Sequence, residues 1–267
     1  MRCQAGMGQP DVPPRGAAAR ALAKRRGVCA AGGARARVAS GTRTSPCASN
    51  PAACCAGASG AWLSVEVVGV PVDRGRECQP ELIPSLPEFA ASLGQFLRQM
   101  HGVSSTNGPS SGSHNFYRGG SLLTYDEEGR RAISALAGKV DFDRASAVWQ
   151  AATRAHWTGQ PVWVHGDLSL GNLLMTDGRL CAVIDFGQMC AGDPACDLAI
   201  AWTLFRGESR EVFKSTLDLD ADTWNRGRGW ALWKAVIVAA GMAETNAVEG
   251  RQCWRTIEEV LADHDRS

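Results

Sequence analysis

The sequence lacks an excess of charge of either sign. Its 267 residues include 28 Lys and Arg against 27 Asp and Glu, which gives a formal net charge of +1. Nucleic acids and anionic membranes are usually bound through a strongly basic surface, and this balance offers no such surface. We therefore expect no nucleic-acid partner and no membrane partner.

Long apolar runs are also missing. No run approaches the roughly 18 residues that a membrane-spanning helix requires. Hydrophobic residues make up 45% of the chain, which is enough for a sizeable core. The length allows one large domain or two small ones. We expect a soluble, cytoplasmic protein, and nothing in the sequence predicts an oligomeric state.

Large apolar residues are nearly absent from residues 1–80. This segment has no Ile, Phe or Tyr and two Leu, and Trp62 is its one aromatic residue. It carries 11 Lys and Arg against 4 Asp and Glu, whereas residues 81–267 carry 17 against 23. Such a segment cannot bury enough apolar surface to offset its chain entropy. We predict that residues 1–80 are low-complexity and disordered, and that residues 81–267 fold.

Two other interpretations of residues 1–80 fit less well. Six of the ten cysteines lie here, but their spacing shows no disulfide framework. The segment is Arg-rich and acid-poor like a targeting peptide, but it has neither an apolar central region nor an amphipathic stripe. The other four cysteines match no zinc-binding spacing and are predicted to be buried thiols. They are Cys181, Cys190, Cys196 and Cys253.

The periodicity of the remaining chain is mainly helical. Apolar residues recur at helical spacing over 86–101, and further helices are predicted at 126–136, 144–156, 195–205, 224–245 and 251–264. Residues 102–121 have a loop composition. A short strand is predicted at 162–164, and two more at 172–175 and 179–184, joined by an Asp-Gly turn. The predicted fold is α+β, mainly helical with a small β-hairpin.

Polar residues collect at the outer ends of these strands. His165 ends the first strand, Asp167 follows in a tight loop, and Asn172 comes five residues later at the start of the hairpin. Asp185 follows the second hairpin strand. Paired strands place their outer ends side by side, so Asn172 and Asp185 are expected to be close, with Asp167 beside them. Two carboxylates and an amide oxygen suit a hard cation such as Mg²⁺.

These motifs resemble a known family. The spacing of Asp167 and Asn172 and the Asp-Phe-Gly at 185–187 resemble the catalytic loop and the metal-binding motif of the protein-kinase-like fold. The form HGDLSLGN, the stretch GDPACDL at 192–198 and the stretch HNFYRGG at 114–120 resemble the aminoglycoside phosphotransferase family. The resemblance covers residues 81–267 and identifies them as the C-terminal lobe of such an enzyme.

The resemblance implies transfer of the γ-phosphate of ATP to a substrate hydroxyl. Asp167 would accept or orient the hydroxyl proton, while Asn172 and Asp185 would hold Mg²⁺ on the phosphates. His165 would pack under the loop. Asp197 would accept hydrogen bonds from the backbone of the loop, because a buried carboxylate needs such partners. The implied substrate is a small hydroxylated molecule, such as an aminoglycoside or another antibiotic.

Other interpretations of these residues are weaker. A metal-dependent hydrolase using His165, Asp167 and Asp185 lacks a second histidine at ligand spacing. The tryptophans at 224, 230 and 233 are predicted to pack in the core rather than to form a platform for sugars.

The sequence departs from the family in its N-terminal part. A kinase-like enzyme needs an N-terminal lobe that covers the ATP phosphates, and only residues 64–72 of the segment 1–80 have strand character. No nucleotide-binding residue of that lobe, and no Walker-type loop, is identifiable. A non-catalytic remnant that lacks the nucleotide-binding lobe is therefore the alternative function.

A change of reading frame explains this departure. Codons permitted for residues 62–79, read one base out of register into the first base of codon 80, encode GYPWKWSVYRWIEGENAN. This string resembles the strand and linker that join the two lobes in the family. The same shift near residue 6 permits a string that begins GWDN, whose tryptophan is forced by the Met7-Gly8 pair, and that resembles the family's first strands. We interpret residues 1–80 as an N-terminal lobe out of frame, through one base gained or lost near codons 79–81.

Overall fold

The computed structural model describes residues 36–42, 55–56, 61–67, 76–245 and 247–266. Most of the segment predicted to be disordered therefore lies outside the described residues. Within that segment the structure places three strands, β1 (Ala36–Thr42), β2 (Cys55–Ala56) and β3 (Ala61–Val67). They form an antiparallel sheet in the order β1-β3-β2. The sequence indicated strand character only at 64–72, which overlaps β3.

Helices make up most of the described chain. The seven described α-helices are α1 (Leu86–His101), α2 (Asp126–Ala135), α3 (Phe142–Arg154), α4 (Ile200–Thr203), α5 (Glu208–Leu217), α6 (Ala221–Ala239) and α7 (Ala247–His264). The main packing pairs are α1 with α5, α3 with α6, and α6 with α7. Their apolar faces form one continuous core around Trp149, Trp202 and Phe213.

Two small antiparallel sheets lie against these helices. One has the strand order β4-β6-β7, from β4 (Arg76–Glu77), β6 (Leu173–Thr176) and β7 (Arg179–Val183). The other pairs β5 (Val162–Val164) with β8 (Cys190–Gly192). The fold is therefore α+β and mainly helical, as the sequence predicts, and the hairpin β6-β7 is the predicted one.

Helix α1 shows how local sequence produces these elements. Ser85 caps it, with its hydroxyl accepting from the Glu88 N–H at 3.3 Å, and Pro87 lies in the first turn. The helix buries its apolar stripe against α5. Gly94 allows the close approach, because an added Cβ would lie 2.9 Å from Thr216. The sequence pattern does not predict helix α5.

Two predicted helices differ from those observed. In place of the helix predicted at 195–205, a 3₁₀-helix, Pro194–Ala199, is followed by the short α4. The 3₁₀-helix approaches α6 closely at Gly227, where an added Cβ would lie 2.7 Å from the Leu198 Cβ. Helix α6 ends at Ala239 rather than near 245. Gly241 adopts φ 67° there, and its N–H donates to the Val238 carbonyl, which terminates the helix.

Cys78, Cys181, Cys190, Cys196 and Cys253 are free and buried, in agreement with the prediction for the last four. Burial raises the pKa of the Cys190 thiol to about 12, with Asp197 adding to the shift. No helix in the described ranges is long and apolar enough to cross a membrane.

Candidate active site

The site begins where β5 ends, at a tight turn through Gly166. Gly166 has φ 83°, a left-handed conformation that favours glycine. An added Cβ at this position would lie 2.6 Å from the Gln188 carbonyl oxygen. The turn therefore requires glycine for its conformation and for its close approach to the chain that follows Asp185.

Asp197 supports this turn through two hydrogen bonds. Its carboxylate is fully buried and accepts the His165 N–H at 2.7 Å and the Gly166 N–H at 2.8 Å. Burial raises the pKa of the Asp197 carboxyl, whereas the two N–H groups that it accepts act in the opposite direction. The arrangement fixes the backbone directly before Asp167.

His165 is a second internal support. Its Nδ1 accepts the Asp167 N–H at 3.2 Å, which leaves the ring proton on Nε2 to be donated to the Ile184 carbonyl at 3.0 Å. The ring centroid lies 4.6 Å from that of Phe186. His165 thus connects the loop that carries Asp167 to the strand that leads to Asp185, and it is fully buried beneath both.

Asn172 lies beside Asp167. Its Nδ2 donates to the Asp167 carbonyl oxygen at 2.7 Å and to Oδ2 of the same residue at 3.2 Å. Because the NH₂ group is used in this way, the amide oxygen of Asn172 is directed elsewhere and remains a possible ligand atom.

The hairpin brings Asp185 to the same place. The Ile184 N–H donates to the Asn172 carbonyl at 2.9 Å, next to the β6-β7 ladder. Asp185 follows with φ 63°, and its Oδ1 accepts the Gly187 N–H at 3.4 Å. The structure therefore brings together all five residues singled out from the sequence, which are His165, Asp167, Asn172, Asp185 and Asp197.

The oxygen donors of Asp185 and Asn172 are compared with the ligands that Mg²⁺ requires. Within the described part of the chain, no cluster of three or more His, Cys, Asp or Glu is placed to hold a metal ion. Mg²⁺ is usually held by one or two carboxylates together with substrate phosphates and water, so it does not need such a cluster. The Asp185 carboxylate and the Asn172 amide oxygen are hard oxygen donors at the edge of one hairpin, and they fit this requirement.

The region that contains this site matches the model of a known protein family. The model of the phosphotransferase enzyme family (APH) matches residues 49–230, which is more than half of the chain. The chain belongs to this family. The matched range begins within the segment 1–80 and contains all five site residues.

The curated relatives of this phosphotransferase-family chain are aminoglycoside 3′-phosphotransferases. Those of Escherichia coli and Salmonella typhimurium are each 28% identical to it over 149 residues, covering 53% of this chain and 52% of the relative. Another from Escherichia coli is 39% identical over 69 residues, which are 23% of this chain and 26% of the relative. The chain thus spans about half the length, or less, of these relatives.

A solved structure supports the same fold. A mutant of aminoglycoside 2′-phosphotransferase-IIIa in complex with GDP is similar to this family member with a TM-score of 0.50 and 15% identity. The match covers 77% of this chain and 70% of that chain. The fold is therefore kinase-like.

Several polar residues that support the site have no role predicted from the sequence. Asp193 forms a buried ion pair with Arg226 of α6, at 2.7 Å from the Arg226 Nε. Asn115 is fully buried and hydrogen-bonded to the Gln188 carbonyl. Asp193 and Asn115 lie in the two stretches, GDPACDL and HNFYRGG, that carry the family resemblance. Their partners are distant in sequence, and no local pattern indicates them.

The tryptophans of α6 pack as predicted. Trp230 and Trp233 are buried and lie edge to face, with ring centroids 5.6 Å apart. Tyr125 stacks on Trp233, and the Arg118 guanidinium covers both indoles at about 5 Å from their centroids. These rings are therefore part of the core and do not form an open platform.

Proposed function

We propose that this chain is a small-molecule kinase that transfers the γ-phosphate of ATP to a substrate hydroxyl. The observation that carries the proposal is the contact between Asn172 and Asp167, with Asp185 on the adjoining hairpin end. These are the residue types that phosphoryl transfer requires at one place: a carboxylate for the hydroxyl and oxygen ligands for a phosphate-bound metal.

Asp167 is the proposed catalytic residue. Its carboxylate is oriented by the Asn172 amide, and its backbone by the His165 ring. A substrate hydroxyl that hydrogen-bonds to this carboxylate would be aligned for attack and would pass its proton to it. Positioning and electrostatic stabilisation account for most of the catalysis in reactions of this class.

Asn172 and Asp185 are the proposed ligands of Mg²⁺. The bound ion would neutralise the charge that develops on the transferred phosphoryl group. Asn172 would serve twice, because its NH₂ group donates to Asp167 and its oxygen would be free to bind the metal. Asp185 contributes the negative charge, held by its left-handed backbone and by the Gly187 N–H.

The proposed acceptor is a hydroxylated small molecule. The names of the curated relatives make aminoglycosides the first candidates. Residues 81–267 carry more acidic than basic side chains, which is compatible with a polycationic substrate. Macrolides are the comparison of lower positive charge, because they offer hydroxyls with fewer amino groups than aminoglycosides carry.

The test is nucleotide turnover by the full chain. Purified protein is assayed with ATP or GTP and a panel of aminoglycosides and macrolides, with and without Mg²⁺. We expect phosphate transfer to at least one acceptor, and we expect Asp167→Asn to lower kcat by about 10²-fold or more because the proton acceptor is lost.

Asp143→Asn is the matched control, because Asp143 is an exposed aspartate in the first turn of α3. It should keep the unsubstituted rate. Equal rates for the unsubstituted chain and Asp167→Asn, both near background, would refute the proposal and leave the non-catalytic remnant as the function.

A further inference from the structure

The proposed reaction assigns no role to the loop at 112–120, which contains the HNFYRGG stretch. Its central residue, Asn115, is fully buried. The Asn115 Nδ2 donates to the Gln188 carbonyl and to the Arg118 carbonyl, both at 3.1 Å, and Oδ1 accepts the Gly112 N–H at 3.0 Å. Such a buried amide, with both donors and its acceptor used, fixes the relative position of the segments that it joins.

The Gln188 carbonyl lies where the two motifs of the site meet. Gln188 ends the 3₁₀ turn Phe186–Gln188 that directly follows Asp185. The same carbonyl oxygen stands 2.6 Å from the position of an added Cβ on Gly166. The Gln188 carbonyl oxygen, which accepts from Asn115, therefore belongs to the turn that follows Asp185. It also lies close to Gly166, in the loop before Asp167.

The loop around Asn115 adopts a costly conformation. Phe116 and Tyr117 have φ values of 52° and 54°, which are unfavourable for bulky side chains. Their backbone is held by several contacts. The Tyr125 hydroxyl donates to the Phe116 carbonyl at 2.8 Å, and the Tyr117 N–H donates to the Gly112 carbonyl at 2.8 Å. Because hydrogen bonds hold this strained backbone, the loop keeps the Asn115 side chain in one position.

Cys190 adds one more attachment, because its thiol donates to the Arg118 carbonyl at 3.0 Å. The Asp193 N–H donates to the Gly119 carbonyl at 2.8 Å. The loop is thus bonded to the chain at Gln188, at Cys190 and at Asp193, and Asn115 makes the bond that lies nearest to Asp185.

We infer that Asn115 is a positioning residue for the metal-binding end of the site. By donating to the Gln188 carbonyl, it holds the turn 185–188 against Gly166, and so keeps the Asp185 carboxylate beside Asn172. The inference rests on the proposed function for the identity of the group that Asp185 binds, but not for the contact itself.

Asn115→Asp in the full chain is the direct test. The substitution keeps the shape and the acceptor for the Gly112 N–H, but it places an oxygen against two carbonyl oxygens. Two quantities are measured: hydrogen exchange of the amides at 185–189, and Mn²⁺ binding in the presence of ADP by electron paramagnetic resonance. We expect faster exchange at 185–189 and a Kd for Mn²⁺ that rises by about tenfold or more.

Ser209→Ala is the control for a general loss of stability. Ser209 is 3% exposed, and its hydroxyl accepts the Arg206 N–H at 3.0 Å and donates to the Arg206 carbonyl at 2.8 Å, at the start of α5. It should change exchange near residues 206–211 and leave Mn²⁺ binding unchanged. Asn115→Ser, which keeps one donor, is the second variant in case Asn115→Asp does not fold, and it should show a smaller change in the same direction.

Unchanged exchange at 185–189 in a folded Asn115 variant would overturn the inference. So would a loss of protection across the whole chain in both variants, which would make Asn115 purely structural, or a wild-type Mn²⁺ affinity in a folded variant. If the unsubstituted chain binds no Mn²⁺ while the variant still exchanges faster at 185–189, the proposed function fails and the positioning contact stands.

Discussion

At the residue scale, individual hydrogen bonds fix the geometry of this site. Asp197 is a buried carboxylate whose two oxygens each accept one backbone N–H of the turn before Asp167. The net value of such a bond is modest, but an N–H left without an acceptor in the interior costs about 1–3 kcal/mol. The turn before Asp167 is therefore stabilised only in the one geometry that satisfies both donors.

Substitution of Gly166 is expected to disturb this turn. Gly166→Ala would place a methyl group against the Gln188 carbonyl and would force a left-handed conformation on an L-residue. We expect a loss of about 1–3 kcal/mol in the free energy of unfolding, measured by urea denaturation, and a lower kcat in the phosphotransfer assay.

Gly138→Ala separates the two causes of that loss. Gly138 also has a left-handed φ, of 82°, but no neighbouring atom lies within 4 Å of an added Cβ. It should show only the conformational part, with kcat unchanged. A Gly166→Ala protein as stable and active as the unsubstituted chain would contradict the close approach of Gln188.

Helix α5 is the main departure at the scale of elements. No helix is predicted at 208–217 from the sequence, although α5 forms there and packs against α1. Its buried face includes Phe213, which is 0% exposed and lies against Phe205 and Trp224. Much of the stability of α5 therefore derives from tertiary packing, which a short amphipathic pattern does not reveal.

Truncation of this contact should destabilise the chain. We expect Phe213→Ala to lower the free energy of unfolding by about 3–5 kcal/mol, because a buried aromatic side chain is removed and a cavity remains. Thermal or urea unfolding followed by circular dichroism measures the change.

Ser215→Ala on the same helix is the control, since the Ser215 hydroxyl is exposed and bonds only to the Val212 carbonyl. Its effect should stay within about 0.5 kcal/mol. Similar losses for the two variants would show that α5 is not anchored through Phe213.

The whole molecule combines a well-packed helical part with an N-terminal segment of different composition. The described residues 76–78 pair with β6, where the Cys78 N–H donates to the Leu173 carbonyl at 2.9 Å. Backbone pairing of this kind depends little on which side chains are present. A linker in this position is therefore compatible with the encoded residues and with those of the shifted frame.

The frameshift hypothesis yields a prediction at this scale. Resequencing of the locus is expected to find one base gained or lost near codons 79–81, with the upstream frame encoding the strand-and-linker string described above. The corrected protein should turn over ATP faster than the present chain, because a nucleotide-binding lobe would precede residue 81.

An upstream codon sequence that cannot encode that string would contradict the frameshift hypothesis. A corrected protein with the same turnover as the present chain would do so as well. Neither result would affect the placement of Asp167, Asn172 and Asp185, which lie in the part of the chain that keeps its frame.

The sequence by itself was sufficient for the features that depend on local spacing. The apolar period of α1, the Asp-Gly turn of the β6-β7 hairpin and the five-residue spacing from Asp167 to Asn172 are set within a few positions, and the structure contains all three. Because the two strands pair through a short turn, the hairpin itself places Asp185 next to Asn172.

Only the tertiary structure decided which distant groups support these residues. Asn115 meets Gln188 across 73 positions, and Asp193 meets Arg226 across 33. A buried polar group can be satisfied by any suitable partner that the fold brings near, so its identity is not encoded in the neighbouring sequence. Local periodicity therefore predicts elements and motifs, whereas the contacts that hold a catalytic site in place depend on how the whole chain packs.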